Sequence, residues 1–115
     1  MAEECIFCRI IAGEIPADIV YQDDDFLAFR DIMPKAPTHV LIIPKTHITS
    51  VAELADGEQK LAGRLIIIAK NLAKKEGIAR KGYRLVINCG LEGGQVVPHL
   101  HLHLLGGRRM DARLG

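Results

Sequence analysis

The segment that most constrains this chain is Pro98-His99-Leu100-His101-Leu102-His103-Leu104-Leu105, in which three of the five histidines alternate with leucines. Alternation of this kind predicts a β-strand, because successive side chains of a strand point to opposite faces of the sheet. We therefore predict a strand over Val97 to Leu105, with the leucines packed into the core. The histidines then form a row on the other face, with neighbouring imidazoles about 6 to 7 Å apart.

A strand face made only of histidine indicates chemistry, since Lys, Glu or Thr would serve solubility equally well. One possibility is metal binding, because two histidines spaced i, i+2 form half of many metal sites. The other is acid–base and nucleophilic catalysis on an anionic group. A neutral histidine can attack while a protonated neighbour supplies charge and a proton. Gly93 and Gly94 favour the second possibility, because their amides could cradle a phosphate, although glycines also make ordinary turns.

The remaining pattern predicts one α+β domain of 115 residues, an antiparallel sheet with one long helix. For the long helix we predict an N-cap at Asp56 with Gln59 as its capping-box partner, a C-terminal stop at Gly77, and a core role for the run 66–68. Residues 108–115 form a polar tail. The other predicted elements are a short helix over residues 3–12 and strands over 19–21, 26–30, 38–43 and 83–88.

Composition narrows the class of protein. The formal net charge of +1 argues against nucleic acid or an acidic membrane as the main partner. The first residues are acidic and carry no signal-peptide pattern, and the longest apolar run, Leu65 to Ala69, is too short to span a bilayer. An odd number of cysteines suits a reducing compartment. We expect a soluble, cytoplasmic protein.

Cys5 and Cys8 form a Cys-x-x-Cys pair near the start of the chain. A thioredoxin-type redox site requires a preceding strand, and only four residues precede Cys5. Zinc is the better candidate, but two thiolates need two further ligands for a tetrahedral site. The alternative is that both are small buried residues beside a helix.

Beyond the histidine row, the chain resembles the histidine triad family of nucleotide hydrolases and transferases, over roughly residues 5 to 110. The signature is His-x-His-x-His with apolar residues between the histidines and two more after them. The branch that the chain resembles is that of the histidine triad nucleotide-binding proteins, which are purine nucleoside phosphoramidases. The further matching segments are Cys5-Ile6-Phe7-Cys8-Arg9-Ile10-Ile11, Glu14-Ile15-Pro16-Ala17, Ala28-Phe29-Arg30-Asp31-Ile32, Ala36-Pro37-Thr38-His39, Ile43-Pro44-Lys45, His47-Ile48, Val86-Ile87-Asn88, Gly93-Gly94-Gln95 and Leu104-Leu105-Gly106-Gly107-Arg108.

The resemblance implies a five-stranded antiparallel sheet with one long and one short helix, paired in a homodimer into one ten-stranded sheet. The implied activity is hydrolysis of adenosine or guanosine 5′-phosphoramidates through a covalent nucleotidyl-histidine. Two alternatives stay open: a dinucleoside polyphosphate hydrolase, as in a sister branch, and a dimeric nucleotide-binding protein that acts by interaction with weak turnover. No cofactor is expected to be required for catalysis.

The resemblance also implies residue roles. His101 would be the nucleophile, with the backbone carbonyl of His99 accepting its Nδ1 proton, while His103 would contact phosphate oxygens and His39 would lie behind the row. Asp31 would bind the ribose hydroxyls. An apolar slot for the base would be formed by Ile6, Phe7, Ile10, Phe29 and Ile32, residues whose pattern alone indicates plain core. Asn88, Gly94, Gln95 and Val96 would surround the phosphate and leaving group.

Family members with the cysteine pair often bind zinc with two histidines that match His47 and His99, so Cys5, Cys8, His47 and His99 form a candidate structural zinc site. The chain also departs from the family. Val96 stands where the branch often has Ser or Thr, Pro98 stands where an aromatic residue is common, and the tail after Arg109 lacks the usual ending. Leaving-group selectivity is therefore not carried over from the family.

Overall fold

A computed structural model describes residues 4–115. Its elements are α1 (Ile6–Ile11), β1 (Ile19–Gln22), β2 (Phe26–Arg30), β3 (Thr38–Pro44), α2 (Gln59–Lys75), β4 (Tyr83–Val86) and β5 (Leu102–Gly106). The five strands form one antiparallel sheet in the order β1-β2-β3-β5-β4. This is the predicted α+β architecture, with one short and one long helix.

The two faces of the sheet bury different sets of side chains. Alternate residues of the central strands pack against α2, and this α2 face includes Leu100, Leu102 and Leu104. The side chains between them point the other way and pack with α1, which makes the α1 face. Leu100, Leu102 and Leu104 therefore lie in the core, as the alternation predicts, whereas Leu105 lines the cavity on the other side.

Strand β3 is buried along its whole length between β2 and β5. In its antiparallel register with β5, Leu41 lies opposite His103 and His39 lies opposite Leu105. Because side chains two residues apart share a face, His39 and Leu41 both project onto the α1 face. The register thus makes His39 a diagonal neighbour of His103.

The predicted cap of the long helix is wrong. Asp56 belongs to a single 3₁₀ turn, Asp56–Glu58, that precedes α2. The carboxylate of Glu58, not the amide of Gln59, reaches back and accepts a hydrogen bond from the backbone N–H of Ala55 at 2.8 Å. The reciprocal contact is one position earlier than the pattern indicates. The stop at Gly77 is confirmed, and its φ of +76° is the left-handed conformation that follows many helices.

The predicted core role of the run 66–68 is right only for Ile68. Ile66 and Ile67 are each 50% exposed on the outer side of α2.

Strand β4 lies at the edge of the sheet. Within residues 4–115, no helix is long and apolar enough to cross a membrane.

Several predicted boundaries shift. The last strand begins at Leu102 rather than Val97, so His99 and His101 lie in irregular backbone before β5. Strand β4 ends at Val86 instead of residue 88, because β5 offers it pairing partners only from His103 to Gly106. Helix α1 begins at Ile6, where Cys5 is the N-cap, and residue 3 of the predicted helix lies outside the described residues.

Candidate functional site

A cavity of about 640 Å³ opens on the α1 face of the sheet. This volume is within the range of ligand pockets, and its walls are mostly apolar, as such pockets usually are. The cavity is lined by these predicted site residues: Ile6, Phe7, Ile10, Phe29, Asp31, Ile32, His39, Asn88, Gly94, Val96, His101 and His103. The structure therefore brings together in one pocket most of the residues that the resemblance selected.

The histidines do not form an exposed row. His99 is fully buried and His101 is only 6% exposed, because α1 covers this part of the sheet. The ring of Phe7, on α1, makes edge contacts with both imidazoles, with centroid distances of 5.8 Å to His99 and 5.2 Å to His101. The predicted alternation of faces holds, but the histidine side is enclosed as well as the leucine side.

His101 has a defined tautomer. Its Nδ1 lies 2.6 Å from the backbone carbonyl oxygen of His99. A carbonyl oxygen can only accept, so Nδ1 carries the proton and Nε2 keeps its lone pair. His101 therefore presents an unprotonated nitrogen, the form in which an imidazole is a nucleophile.

His103 and His39 form a second chain of hydrogen bonds. The backbone N–H of Lys35 donates to His39 Nδ1 at 3.1 Å, so the His39 proton is on Nε2. That Nε2–H donates to His103 Nδ1 at 2.9 Å. His103 is thereby left with its own proton on Nε2, where it can donate to a bound anion. The backbone N–H of Lys35, which is connected to His103 through two hydrogen bonds, thus determines which nitrogen of His103 is the donor.

Electrostatics keep this pair of histidines uncharged. Burial, with smaller contributions from His101 and His39, lowers the pKa of His103 to about 4. Burial likewise lowers the pKa of His39, and the carboxylate of Asp31, 3.5 Å from His39 Nε2, only partly opposes it. At neutral pH, His103 is therefore a neutral hydrogen-bond donor in the free protein, not the protonated neighbour considered from sequence.

Asp31 lines the same cavity as the slot residues Ile6, Phe7, Ile10, Phe29 and Ile32. Its Oδ1 accepts a hydrogen bond from the backbone N–H of Met33 at 2.8 Å, which fixes the carboxylate in place. Of the slot residues, Ile32 is the most exposed and Phe7 and Phe29 are buried. Asn88, Gly94 and Val96 also line the cavity.

Gln95 does not line the cavity. Its Nε2 donates to the carbonyl oxygens of Thr49 at 2.7 Å and Val97 at 3.0 Å, and its Oε1 accepts from the N–H of Gly90 at 2.9 Å. The side chain thus holds the glycine loop in shape. The expected contact with phosphate or leaving group is not supported, because these hydrogen bonds already engage both ends of the amide.

A second cluster lies beside the nucleophile. The ligand atoms of Cys5, Cys8, His47 and His99 all lie within 4.8 Å of one another. His99 Nδ1 is 3.4 Å from Cys5 Sγ and 3.6 Å from Cys8 Sγ, and His47 Nδ1 is 3.2 Å from Cys8 Sγ. His99 Nε2 donates to the carbonyl oxygen of Pro44 at 2.9 Å, which leaves the Nδ1 lone pair directed at the thiols.

The donor set fits zinc. With Zn–S and Zn–N bonds of about 2.3 and 2.0 Å, neighbouring ligand atoms of a tetrahedron lie roughly 3.5 Å apart, close to the separations found here. Burial, together with the neighbouring Cys5, raises the pKa of the Cys8 thiol to about 11. Two adjacent thiolates need a cation to be stable, and a metal supplies it. Zinc would supply structural rather than catalytic chemistry, since all four positions of a tetrahedron would be filled by side chains.

Two backbone groups that position the site were missed. The N–H of Lys35 and the carbonyl of Pro44 select the tautomers of His39 and His99. Main-chain groups leave no mark in the residue pattern, so no sequence signal could have identified them. Among residues 4–115, Lys35 and Arg30 are the two Lys or Arg residues that line the cavity. In the sequence, the two prolines on either side of Lys35, Pro34 and Pro37, indicate only that this segment is a loop.

Comparisons with known proteins agree with this geometry. The chain is 54% identical to the purine nucleoside phosphoramidase of Escherichia coli (strain K12), over 99% of this chain and 96% of the relative. A HIT family hydrolase from Legionella pneumophila superposes with a TM-score of 0.95 at 53% identity, covering 97% of this chain and all of the other. A Zn-bound histidine triad family protein from Mycobacterium smegmatis superposes with a TM-score of 0.81 at 32% identity, covering 97% of this chain and 81% of the other.

The HIT domain matches residues 12–110, which include the three alternating histidines and His39. Cys5 and Cys8 lie just before the matched segment, although the structure places them against His99. With most of its length matched and relatives above 50% identity, the chain belongs to the HIT domain family.

Proposed function

We propose that this protein is a purine nucleoside phosphoramidase, which hydrolyses adenosine or guanosine 5′-phosphoramidates to the nucleoside monophosphate. The observation that carries the proposal is the hydrogen bond from His101 Nδ1 to the His99 carbonyl, which leaves a lone pair on Nε2 in the cavity wall. The 54% identity to a protein of that activity supports the same conclusion.

In this function the cavity divides into three parts. The purine occupies the slot walled by Ile6, Ile10 and Phe29, whose apolar side chains suit a flat aromatic base. The carboxylate of Asp31 accepts hydrogen bonds from the ribose hydroxyls. His103 is neutral in the free protein, and its Nε2–H donates to a phosphate oxygen.

The reaction proceeds in two displacements. His101 Nε2 attacks phosphorus, the P–N bond to the amine breaks, and the amine leaves after taking up a proton from water. Water then attacks the phosphorus of the nucleotidyl-histidine, the P–Nε2 bond breaks, and its electron pair returns to His101 as the nucleoside monophosphate and a proton are released. The carbonyl of His99 stabilises the positive charge that develops on the attacking imidazole.

Turnover of adenosine 5′-phosphoramidate by the purified protein tests the proposal, with a diadenosine polyphosphate as the comparison substrate. Preference for the phosphoramidate is expected. A preference for the polyphosphate would assign the protein to the dinucleoside polyphosphate hydrolases. Binding of the nucleoside monophosphate without turnover of either substrate would leave a nucleotide-binding interaction protein.

We also propose that Cys5, Cys8, His47 and His99 hold a structural zinc ion. The separations of their ligand atoms, the tautomer of His99 and the Zn-bound relative from Mycobacterium smegmatis support this. The three cysteines are free thiols, and we place the protein in the cytoplasm, where reducing conditions keep thiols available for a metal. Catalysis itself requires no cofactor in this proposal.

We further propose that the protein is a homodimer. Each protomer is one domain over residues 1–115, of which residues 108–115 form the C-terminal tail. Edge strand β4 leaves backbone groups available for pairing, and the exposed Ile66 and Ile67 on α2 supply apolar area. Pairing of two β4 strands gives the ten-stranded sheet.

A further inference from the structure

We infer that the metal cluster and the nucleotide cavity are thermodynamically coupled, so that zinc and a nucleoside monophosphate each strengthen the binding of the other. The inference rests on the proposed nucleotide site and on the proposed zinc site. It goes beyond a structural role for the metal, because it assigns to Cys5, Cys8 and His99 an influence on ligand affinity. Two independent connections between the sites carry it.

The first connection is His99 itself. Its imidazole is directed at the two thiols through Nδ1, and its backbone carbonyl is 2.6 Å from His101 Nδ1. The hydrogen bond from Nε2 to the Pro44 carbonyl prevents the ring from turning freely. A ligand that fixes the ring therefore fixes the peptide that orients the nucleophile, because side chain and carbonyl belong to one residue in the interior of the protein.

The second connection is helix α1. Cys5 is the N-cap of this helix, and its Sγ accepts a hydrogen bond from the N–H of Cys8 at 3.4 Å. Between the two cysteines, Phe7 packs its ring edgewise on Phe29 and His101, at centroid distances of 5.5 and 5.2 Å. Ile6 and Ile10 of the same helix line the cavity. Six residues of helix have little stability alone, so what holds both cysteines also holds one wall of the slot.

Coupling of this kind is reciprocal by thermodynamic necessity. If metal raises the affinity for the nucleotide by some factor, the nucleotide raises the affinity for metal by the same factor. Coupling between two sites usually amounts to a factor of about 5 to 150. We expect a value within that range, since the two sites share residue 99 and helix α1.

The test measures, on the full chain, the effect of zinc on nucleotide affinity and the effect of the nucleotide on zinc affinity. Affinity for adenosine monophosphate is measured by calorimetry on zinc-loaded and zinc-free protein, and zinc affinity is measured against a chromogenic chelator with and without the nucleotide. Equal factors of about 5 or more are expected. Affinities that do not change in either direction would overturn the inference.

A second measurement covers the case in which zinc-free protein unfolds. Zinc-loaded protein is mixed with excess chelator, and the rate of metal loss is followed with and without saturating adenosine monophosphate. The nucleotide is expected to slow metal loss severalfold, whereas an unchanged rate would overturn the inference. This readout uses only protein that begins folded and loaded.

Phe7→Leu and Phe26→Leu form a matched pair of variants. Phe7 joins α1 to His101, whereas Phe26 is also buried but lies on the α2 face and lines neither site. Phe7→Leu should keep zinc but reduce the coupling factor, and Phe26→Leu should leave the factor unchanged. Equal coupling in the two variants would exclude helix α1 as a connection and leave His99 as the only one.

The inference and the proposed function can fail separately. Coupled binding of zinc and adenosine monophosphate without turnover of any phosphoramidate would support the linkage and overturn the enzymatic proposal. Turnover by a protein that binds the two ligands independently would do the reverse.

Discussion

The imidazole of His101 and the carbonyl of His99, two residues apart, are joined by a hydrogen bond of 2.6 Å, the shortest of those that orient the site histidines. A nucleophile and the group that sets its tautomer are thus supplied by one short segment of chain. Neither can be displaced without moving the other. The segment therefore carries a preorganised attacking nitrogen into the cavity.

Replacing His101 should abolish turnover. In His101→Ala no nitrogen is available to form the nucleotidyl intermediate, and we expect the rate to fall by roughly 10³-fold or more. Binding of adenosine monophosphate, measured by calorimetry, should persist and serves as the folding control. A variant that keeps even a tenth of the parent activity would show that His101 is not the nucleophile.

Protein purified without added metal should contain about one zinc per chain by elemental analysis. Cys8→Ser should lose most of it, because serine is a poor ligand for zinc at this position. Cys89→Ser is the matched control, since Cys89 lies outside the cluster and should leave the metal content unchanged. A zinc-free parent protein with an intact fold would contradict the proposed site.

Stability should fall between pH 7 and pH 5, in part through His103. Its folded pKa is about 4, below the ordinary value, so in this window the unfolded chain binds more protons than the folded one. The stabilisation is fully present above about pH 6.5 and is lost as pH falls toward 4. His103→Gln, which keeps an acceptor for His39, should remove up to roughly 2 kcal/mol of the change in unfolding free energy between pH 7 and 5. Urea unfolding of both proteins at the two pH values measures the difference, and identical pH dependence would contradict the assigned shift.

Val96 should limit the rate with poor leaving groups. The side chain lines the cavity and is 89% exposed, so threonine fits there without strain and adds a hydroxyl. A hydrogen bond to the departing amine is worth about 1 kcal/mol, or more against developing charge, so the native valine is expected to slow the enzyme roughly 5- to 100-fold relative to a hydroxyl-bearing site. Val96→Thr should therefore accelerate alkylamine phosphoramidates more than a substrate with a good leaving group. Rates equal to those of the parent protein on both substrates would make the departure neutral.

Ile66→Asp should weaken the proposed dimer. A carboxylate buried in the proposed interface loses its hydration, so we expect the dissociation constant to rise by about 10²-fold or more. Sedimentation velocity over a concentration series measures it. Val51→Asp, an exposed apolar position outside α2 and β4, is the control and should leave association unchanged.

Periodic features could be predicted from the sequence, and features set by distant contacts could not. The range Phe26–Arg30 and the two faces of the histidine segment follow from local alternation, and the structure has both. The start of β5 depends on where β3 and β4 offer partners, which no local pattern encodes. The burial of His99 and His101 likewise depends on α1, more than 80 residues away in the chain.

The candidate site divides in the same way. Asp31, His39 and the slot residues could be selected through the family resemblance, and the cavity includes them. The hydrogen bonds of Gln95 could not be predicted, because an amide beside a glycine loop gives the same sequence pattern whether it faces a ligand or the backbone. Its bonds to the carbonyl oxygens of Thr49 and Val97 depend on the three-dimensional structure.

The alternation of leucine and histidine within β5 also makes a wrong strand register unfavourable. A shift of β5 by one residue relative to β3 would turn His103 toward α2 and would turn Leu102 and Leu104 toward the cavity. The shifted strand would bury a polar ring without partners and would expose apolar side chains in the nucleotide site, at a cost of several kcal/mol. A molecule that misplaces His103 therefore also loses part of its core.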